Sequence, residues 1–453
     1  MTELRTLARH AGTVLVGQLA VMAFGVTDTI VAGRYSPEAL AALSVGSAVF
    51  ISVFVALIGV MQVLLPAWAE LYGAGRHEDL GQSVRQSLYL FALATVAGFL
   101  GLFLSAPLLH WTDVPPAMRG DVQAYLAALA LALPATLLFR MYSSLNQALH
   151  KPLLVTWLQI AALGLKVPLS IWFCFGGLGL DAHGAVGCAW ATVVVNYLLV
   201  GGAFWLLRTQ PLYAPFALWR RIEPPNWRVI GHHLRLGVPA GLAVMVEVTS
   251  FTLMALFIAR QGALASAAHQ IAANLAAVFF MSPLSIAIAT SARVSFWLGA
   301  GDARKARHSI RSGFKLALAA ALGICVLLGL ARHEIAAVYA GNPEVVAVAG
   351  GLLGWVALYH VGDAVQGVCV FVLRCYRVAV APLIAYCVLL WGAGLGGGYL
   401  LAYRGIGPFA PMNSPAAFWI MGALALVLLA SVLPLILWRA VHAWRPPLPY
   451  AAG

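Results

Sequence analysis

Apolar residues fall in long unbroken runs along this chain, with little of the alternation that marks a half-buried strand. The runs lie near 13–33, 43–67, 88–108, 122–142, 152–175 and 185–207, then near 236–259, 270–292, 313–331, 346–373, 380–402 and 416–438. An α-helix needs roughly 20 apolar residues to cross a hydrocarbon core about 30 Å thick. The pattern therefore predicts twelve membrane-crossing helices in an all-α integral membrane protein. An outer-membrane barrel is excluded, because its strands would appear as short alternating segments.

Composition agrees. Of 453 residues 62% are hydrophobic and 9% charged, with a mean hydropathy of +0.90; a soluble domain carries charge on about a quarter of its residues. Twelve crossings leave only short connections, so no large domain fits outside the membrane. The net charge of +12 would suggest nucleic acid in a soluble protein. Here it is better read as the Lys and Arg of cytoplasmic loops, and no nucleic-acid partner is expected. Cys174, Cys188, Cys325, Cys369, Cys375 and Cys387 form no CxxC pair and sit mostly in apolar runs, so neither a disulfide framework nor a structural metal is expected. The first apolar stretch is too long for a signal peptide and lacks a small-residue cleavage site, so the first span is expected to be retained.

Sorting the cations by connection gives orientation. With the N-terminus cytoplasmic, 21 of the 27 Lys and Arg fall on the inner side, among them Arg5, Arg9, Arg76, Arg85, Arg140 and Lys151, those of 208–235 and 293–315, and Arg374, Arg377, Arg439 and Arg445. Arg34, Arg119, Arg260, Arg332 and Arg404 fall outside, and Lys166 lies within a span. Both termini are therefore expected on the cytoplasmic side. Trp68, Trp111, Trp205 and Trp438 stand near run ends, where a tryptophan serves either as an interfacial anchor or in packing.

The chain repeats itself. Leu71-Tyr72-Gly73-Ala74-Gly75 followed by Ser83-Val84-Arg85 recurs as Trp297-Leu298-Gly299-Ala300-Gly301 followed by Ser309-Ile310-Arg311, at a constant offset of 226 residues. A proline-rich, charged connection at 208–235 divides the spans six and six and reads as a hinge. The expected lobes are 1–222 and 223–453. Six crossings return the chain to its starting side, so the halves are expected as parallel repeats enclosing a cavity.

Three acids, Asp28, Glu247 and Asp363, lie inside apolar runs. A charged side chain at the bilayer centre costs about 2.5 to 3.5 kcal/mol, so such residues are retained for a task or are neutral groups that bind two helices together. Helical spacing puts Tyr359 and Gln366 on the face of Asp363, a phenol, a carboxylate and an amide together. Ser250 follows Glu247 by one turn and Pro239 precedes it by two; Gly25 precedes Asp28 by one. These oxygen-rich positions suit H⁺ or Na⁺. Lys166, two residues before Pro168, either snorkels outward or pairs with Asp28, where it would compete with any cation.

Taken together, Val26-Thr27-Asp28-Thr29-Ile30-Val31-Ala32-Gly33, Gly184-Ala185-Val186-Gly187-Cys188-Ala189-Trp190-Ala191-Thr192, Leu236-Gly237-Val238-Pro239 with Glu247, Leu298-Gly299-Ala300-Gly301-Asp302, Asp363 with Tyr359, and Tyr399-Leu400-Leu401-Ala402-Tyr403-Arg404 resemble the multidrug and toxic compound extrusion (MATE) transporters, in their NorM-like branch. The resemblance implies a V-shaped, two-lobed antiporter of the bacterial cytoplasmic membrane. It would act as a monomer, exporting organic and often cationic, aromatic compounds in exchange for Na⁺ or H⁺, with no other cofactor. Carried over, Glu247, Asp363 and Tyr359 would couple the cation in the second lobe and Asp28 in the first; Asp28, Asp363 and Gln270 would meet substrate, and any Na⁺ would sit at Glu247 and Asp363. Lys166 departs from the pattern by standing where such transporters tend to have Asn, which makes it a modulator of the first-lobe site. Thr13 or Val14 replaces an early proline, and Asn342 stands where an acid can occur.

The alternatives are a flippase for lipid-linked glycans or an exporter of non-cationic metabolites on the same fold. A cavity dominated by Arg would favour the flippase, and Lys166 is the only cation within a span. An enzyme is not expected: no metal-spaced cluster or nucleophile motif stands at a membrane face, and His77, His232 and His233 read as solvated loop residues.

Overall fold

The computed structural model describes residues 3–103, 116–177, 179–408 and 410–444. Among them, twelve helices are long and apolar enough to cross a membrane. They are α1 (Glu3–Tyr35), α2 (Pro37–Gly73), α3 (His77–Phe103), α4 (Pro116–Ala148), α5 (Pro152–Phe175) and α6 (Gly184–Thr209), then α7 (Trp227–Ala259), α8 (Ala263–Gly299), α9 (Ala303–Tyr339), α10 (Pro343–Cys375), α11 (Val380–Tyr403) and α12 (Ala416–Ala443). Each matches a predicted run. The third run was expected to reach 108, and its end lies outside the described residues, as do Trp111 and Arg445.

Most helices outrun their apolar stretch, because polar residues beyond the hydrocarbon continue the backbone ladder until a cap closes it. The Ser36 hydroxyl accepts from Ala39 N (3.0 Å), the Asn342 amide oxygen from Glu344 N (2.9 Å) and the Asp302 carboxylate from Lys305 N (2.9 Å). Proline at the first helical position of α2 and α10 gives up no backbone bond there.

The duplicated loops share one geometry. Gly75 and Gly301 have φ of +70° and +75°. The nitrogens of Arg76 and Asp302 reach back to the carbonyls of Leu71 (3.1 Å) and Trp297 (2.9 Å), and those of Gly75 and Gly301 to Tyr72 and Leu298 (3.1 Å each). Both helices thus end in the same glycine-dependent left-handed turn.

The chain forms two compact units, Thr13–Gly241, and Met1–Gly12 with Leu242–Gly453. The division falls inside α1 and α7, whereas the sequence places it at 222/223. In the Thr13–Gly241 unit, α4 and α5 pack on α6, and α2 packs on α4. In the other, α8, α9 and α12 gather around α10. The first residues of α1 belong there, because the Glu3 carboxylate accepts from Arg293 Nε (2.9 Å) and Nη2 (2.6 Å) and from the Ser309 hydroxyl (2.7 Å).

The connection read as a hinge is strapped to α3. Arg85 Nε donates to both oxygens of Glu223 (3.0 and 2.9 Å), its Nη2 donates to Oε1 as well, and its Nη1 donates to Ala217 O (2.7 Å). Gln86 accepts from Asn226 N (2.8 Å) and donates to Pro224 O (2.9 Å). The Arg85 hydrogen bond and charge hold the Glu223 carboxyl below the usual glutamate range.

Of the two roles open to the tryptophans near run ends, Trp68 takes packing: it is fully buried and donates to Ser83 Oγ (3.1 Å), while Trp205 and Trp438 are exposed. The reading of His77, His232 and His233 as solvated loop residues is corrected. His232 and His233 lie inside α7 and His233 is buried, while the His77 ring packs against Tyr72 and Phe216. Charge density suggested loops at these positions, but an amphipathic helix end carries as many charges and still buries one side.

Candidate functional site

Two clusters of polar groups sit within the spans, one in each unit. In the unit containing Leu242–Gly453, α7 supplies Glu247, α10 supplies Tyr359, Asp363 and Gln366, and α11 supplies Tyr386. Asp363 and Gln366 are three residues apart on α10, and that spacing lets the Gln366 amide nitrogen donate to Asp363 Oδ1 at 2.8 Å. The same nitrogen reaches Glu247 Oε1 at 3.3 Å. One amide therefore bridges two acids from two helices, and its orientation is set from behind, because Tyr386 Oη donates to Gln366 Oε1. Asp363, Gln366 and Tyr386 are buried, at 3%, 1% and 2% exposure, and Glu247 is half-buried.

Two acids this close in a dry place are costly when both are charged. The cluster is stable when at least one carboxyl carries a proton or when a cation lies between them, which is what a group that exchanges H⁺ or Na⁺ requires. Room is available alongside. A cavity of about 30 Å³ is lined by Ser250, Phe251 and Tyr359, with Leu390, Gly394 and Phe418 among its other walls, enough for a water or two. Ser250 and Phe251 lie one turn beyond Glu247, and Tyr359 one turn before Asp363. The Tyr359 ring stands edge-on to Phe251 (5.8 Å) and to Trp419 (5.7 Å). Opposite, α11 widens into a π-helical stretch over Cys387–Gly396, and Trp391 Nε1 donates to Val246 O (3.1 Å), next to Glu247. Such widened turns recur at functional sites.

In the Thr13–Gly241 unit, Lys166 on α5 is completely buried. Its ammonium lies 2.7 Å from Asp28 Oδ1, 2.6 Å from Thr192 Oγ1 and 2.9 Å from Cys188 O. The Ser170 hydroxyl adds a bond to Asp28 Oδ1 at 3.0 Å. Of the two alternatives for Lys166, the structure shows pairing. Asp28, expected as a cation-coupling and substrate-binding group, already holds a cation that belongs to the chain. Gln270 lies exposed on α8, with its amide 3.5 Å from Asn274 Oδ1, and no contact joins it to either cluster among the described residues. No metal-binding group of three or more His, Cys, Asp or Glu occurs among the described residues.

Sequence reasoning found Glu247, Tyr359, Asp363 and Gln366 through charge in an apolar run and helical spacing. It missed Tyr386, Phe251, Trp419 and Ser170, which have no such signal and enter by tertiary packing. Cys188 and Thr192 lay in a segment singled out by resemblance, with no role attached.

The MatE family model matches residues 14–172 and 239–400. The chain is 38% identical over 430 residues to "Probable multidrug resistance protein NorM" of Aromatoleum aromaticum, covering 94% of this chain and 92% of that one. It is 34% identical to "Multidrug resistance protein PmpM" of Pseudomonas aeruginosa, covering 92% and 87%. Among solved structures, the eukaryotic MATE transporter AtDTX14 superposes with a TM-score of 0.84 at 17% identity over 97% of each chain. The Vibrio cholerae MATE transporter VcmN in its bent form gives 0.82 at 17% identity, again over 97% of each.

Proposed function

The chain belongs to the MatE family, and from that premise we propose that it is a secondary antiporter exporting organic, cationic and aromatic compounds in exchange for Na⁺ or H⁺ taken up at Glu247 and Asp363. The observation that carries this reading is the Gln366 amide bridging the two acids beside a cavity walled by Phe251 and Tyr359. The relatives are multidrug resistance proteins by name, and that supports the substrate class.

The chemistry is one of competition. Neither acid can stay bare and unpaired in that setting, so a cationic substrate and the coupling ion occupy the cluster in turn. Ion entry releases substrate outward, and alternating access of the lobes 1–222 and 223–453 returns the site. A positive charge entering a negative interior gains about 2.3 kcal/mol per 100 mV, the work available for accumulation. Tyr359 borders the exchange site, and aromatic faces such as its own attract organic cations. Gln270 belongs to the substrate's path rather than to the ion site. The chain acts as a monomer, without catalytic chemistry, in the cytoplasmic membrane, its Lys- and Arg-rich connections and both termini inside.

The test is efflux of a fluorescent organic cation from proteoliposomes, with Na⁺ and pH gradients imposed separately. One gradient accelerates efflux, and Asp363→Asn removes that acceleration while the protein still inserts. Full gradient-driven export by the Asp363→Asn protein overturns the reading.

A further inference from the structure

The cluster around Lys166 has the make-up of a monovalent cation site. It gathers a carboxylate (Asp28), two hydroxyls (Ser170 and Thr192) and a backbone carbonyl (Cys188) from three helices. Hard cations are held by that mixture of oxygens. An ammonium has three N–H donors, and each of the three has an acceptor here, at 2.6 to 2.9 Å. The side chain is 0% exposed, so the charge is balanced inside the protein, not by water. Ser170 stands on the same helix as Lys166, one turn on, and Thr192 follows Cys188 by one turn of α6 and donates to its carbonyl (3.0 Å). The cage is therefore preformed by two helix repeats, and the acid of α1 closes it.

We propose that Lys166 is a tethered substitute for an exchangeable cation: its ammonium permanently fills the oxygen cage of the Thr13–Gly241 unit, so that ions are exchanged only at Glu247 and Asp363. The last clause rests on the reading of those two acids given above. The physical reason is repulsion. A second positive charge about 4 Å from a buried ammonium meets an energy that weakens its binding on the order of 1,000-fold. Removing the ammonium without removing the oxygens should expose the site that it fills.

The test uses the full chain, purified in detergent, in a Glu247→Gln/Asp363→Asn background, so that its outcome does not depend on the exchange site. Two probes are read, equilibrium binding of ²²Na⁺ and the infrared absorption of protonated carboxyls between pH 4 and pH 9. With Lys166 in place, adding Asp28→Asn is expected to change neither. With Lys166→Met, the protein is expected to gain about one bound Na⁺ or about one titrating carboxyl per chain, and Asp28→Asn should erase the gain. Should Lys166→Met fail to fold, Lys166→Gln, which keeps a donor for Asp28, takes its place. Asp28-dependent Na⁺ binding or titration with Lys166 intact overturns the proposal. So does a folded Lys166 variant that gains neither. Failure of the antiport reading would appear elsewhere, as wild-type export indifferent to both gradients.

Discussion

Gly187 offers a way to move the Lys166 cage without touching any residue in it. A methyl group at this position of α6 would lie 2.2 Å from Phe173 O, 2.4 Å from Phe173 C and 2.7 Å from Cys174 N. All three are backbone atoms near the end of α5, so no side chain can swing aside, and α5 and α6 must separate by about 1 Å to restore ordinary contact. The two helices carry Lys166 and Ser170 on one side and Cys188 and Thr192 on the other. A shift of that size takes the 2.9 Å bond to Cys188 O and the 2.6 Å bond to Thr192 Oγ1 beyond good hydrogen-bonding distance. Overpacking costs about 1–3 kcal/mol. Each weakened bond to a charged group adds up to about 1.5–3 kcal/mol, and the better helix propensity of Ala returns about 1 kcal/mol. With both bonds lost, the expected net loss for Gly187→Ala is about 3–8 kcal/mol. Gly164→Ala on α5 is the control, because nothing lies within 4 Å of a methyl group there; it should be neutral or slightly stabilising. Thermal unfolding of the two purified variants, followed by tryptophan fluorescence, makes the comparison. If Gly187→Ala melts within a degree of Gly164→Ala, the close approach of α5 and α6 does not constrain the cage and the reasoning fails.

Other consequences can be checked alongside. Glu223 is held below the ordinary glutamate range by Arg85, so its stabilising contribution is present above the unfolded value near 4.3 and is lost as pH falls through the folded value. Glu223→Gln should therefore melt below wild type at neutral pH, and the gap should close under acid; a gap that stays constant down to pH 3 contradicts the strap. Tyr386→Phe removes the donor that orients the Gln366 amide and should weaken gradient-driven efflux several-fold at limiting ion concentration, with little effect at saturating ion; an unchanged ion dependence speaks against Tyr386 as the group that positions Gln366. Gly301→Ala must adopt φ near +75°, at a cost of about 1–2 kcal/mol, and should lower the melting temperature where Gly323→Ala, with nothing within 4 Å in α9, does not.

Much of this was legible in the chain because a membrane reduces the choices. Lipid cannot bond a bare backbone, so each apolar run must be a helix, and the twelve runs became twelve helices. Charge is so costly there that Asp28, Lys166, Glu247 and Asp363 stand out with no alignment, and a three-residue spacing was enough to join Gln366 to Asp363. The same logic went astray where polarity is tolerated. Near span ends a His can face lipid headgroups or the core at similar cost, and His233 turned inward.

The sequence by itself determined which segments cross, which groups are costly there, and that two loops 226 residues apart share a turn. Those properties depend on local composition and on distances of one or two helical turns. Only the tertiary structure decided that Lys166 faces Asp28, that Glu247 meets Asp363 through one amide, and that Tyr386 stands behind that amide. Each of those contacts joins two different helices, and hydropathy is blind to rotation about a helix axis: turning α5 by half a turn would leave its apolar run unchanged while sending the Lys166 ammonium away from its cage.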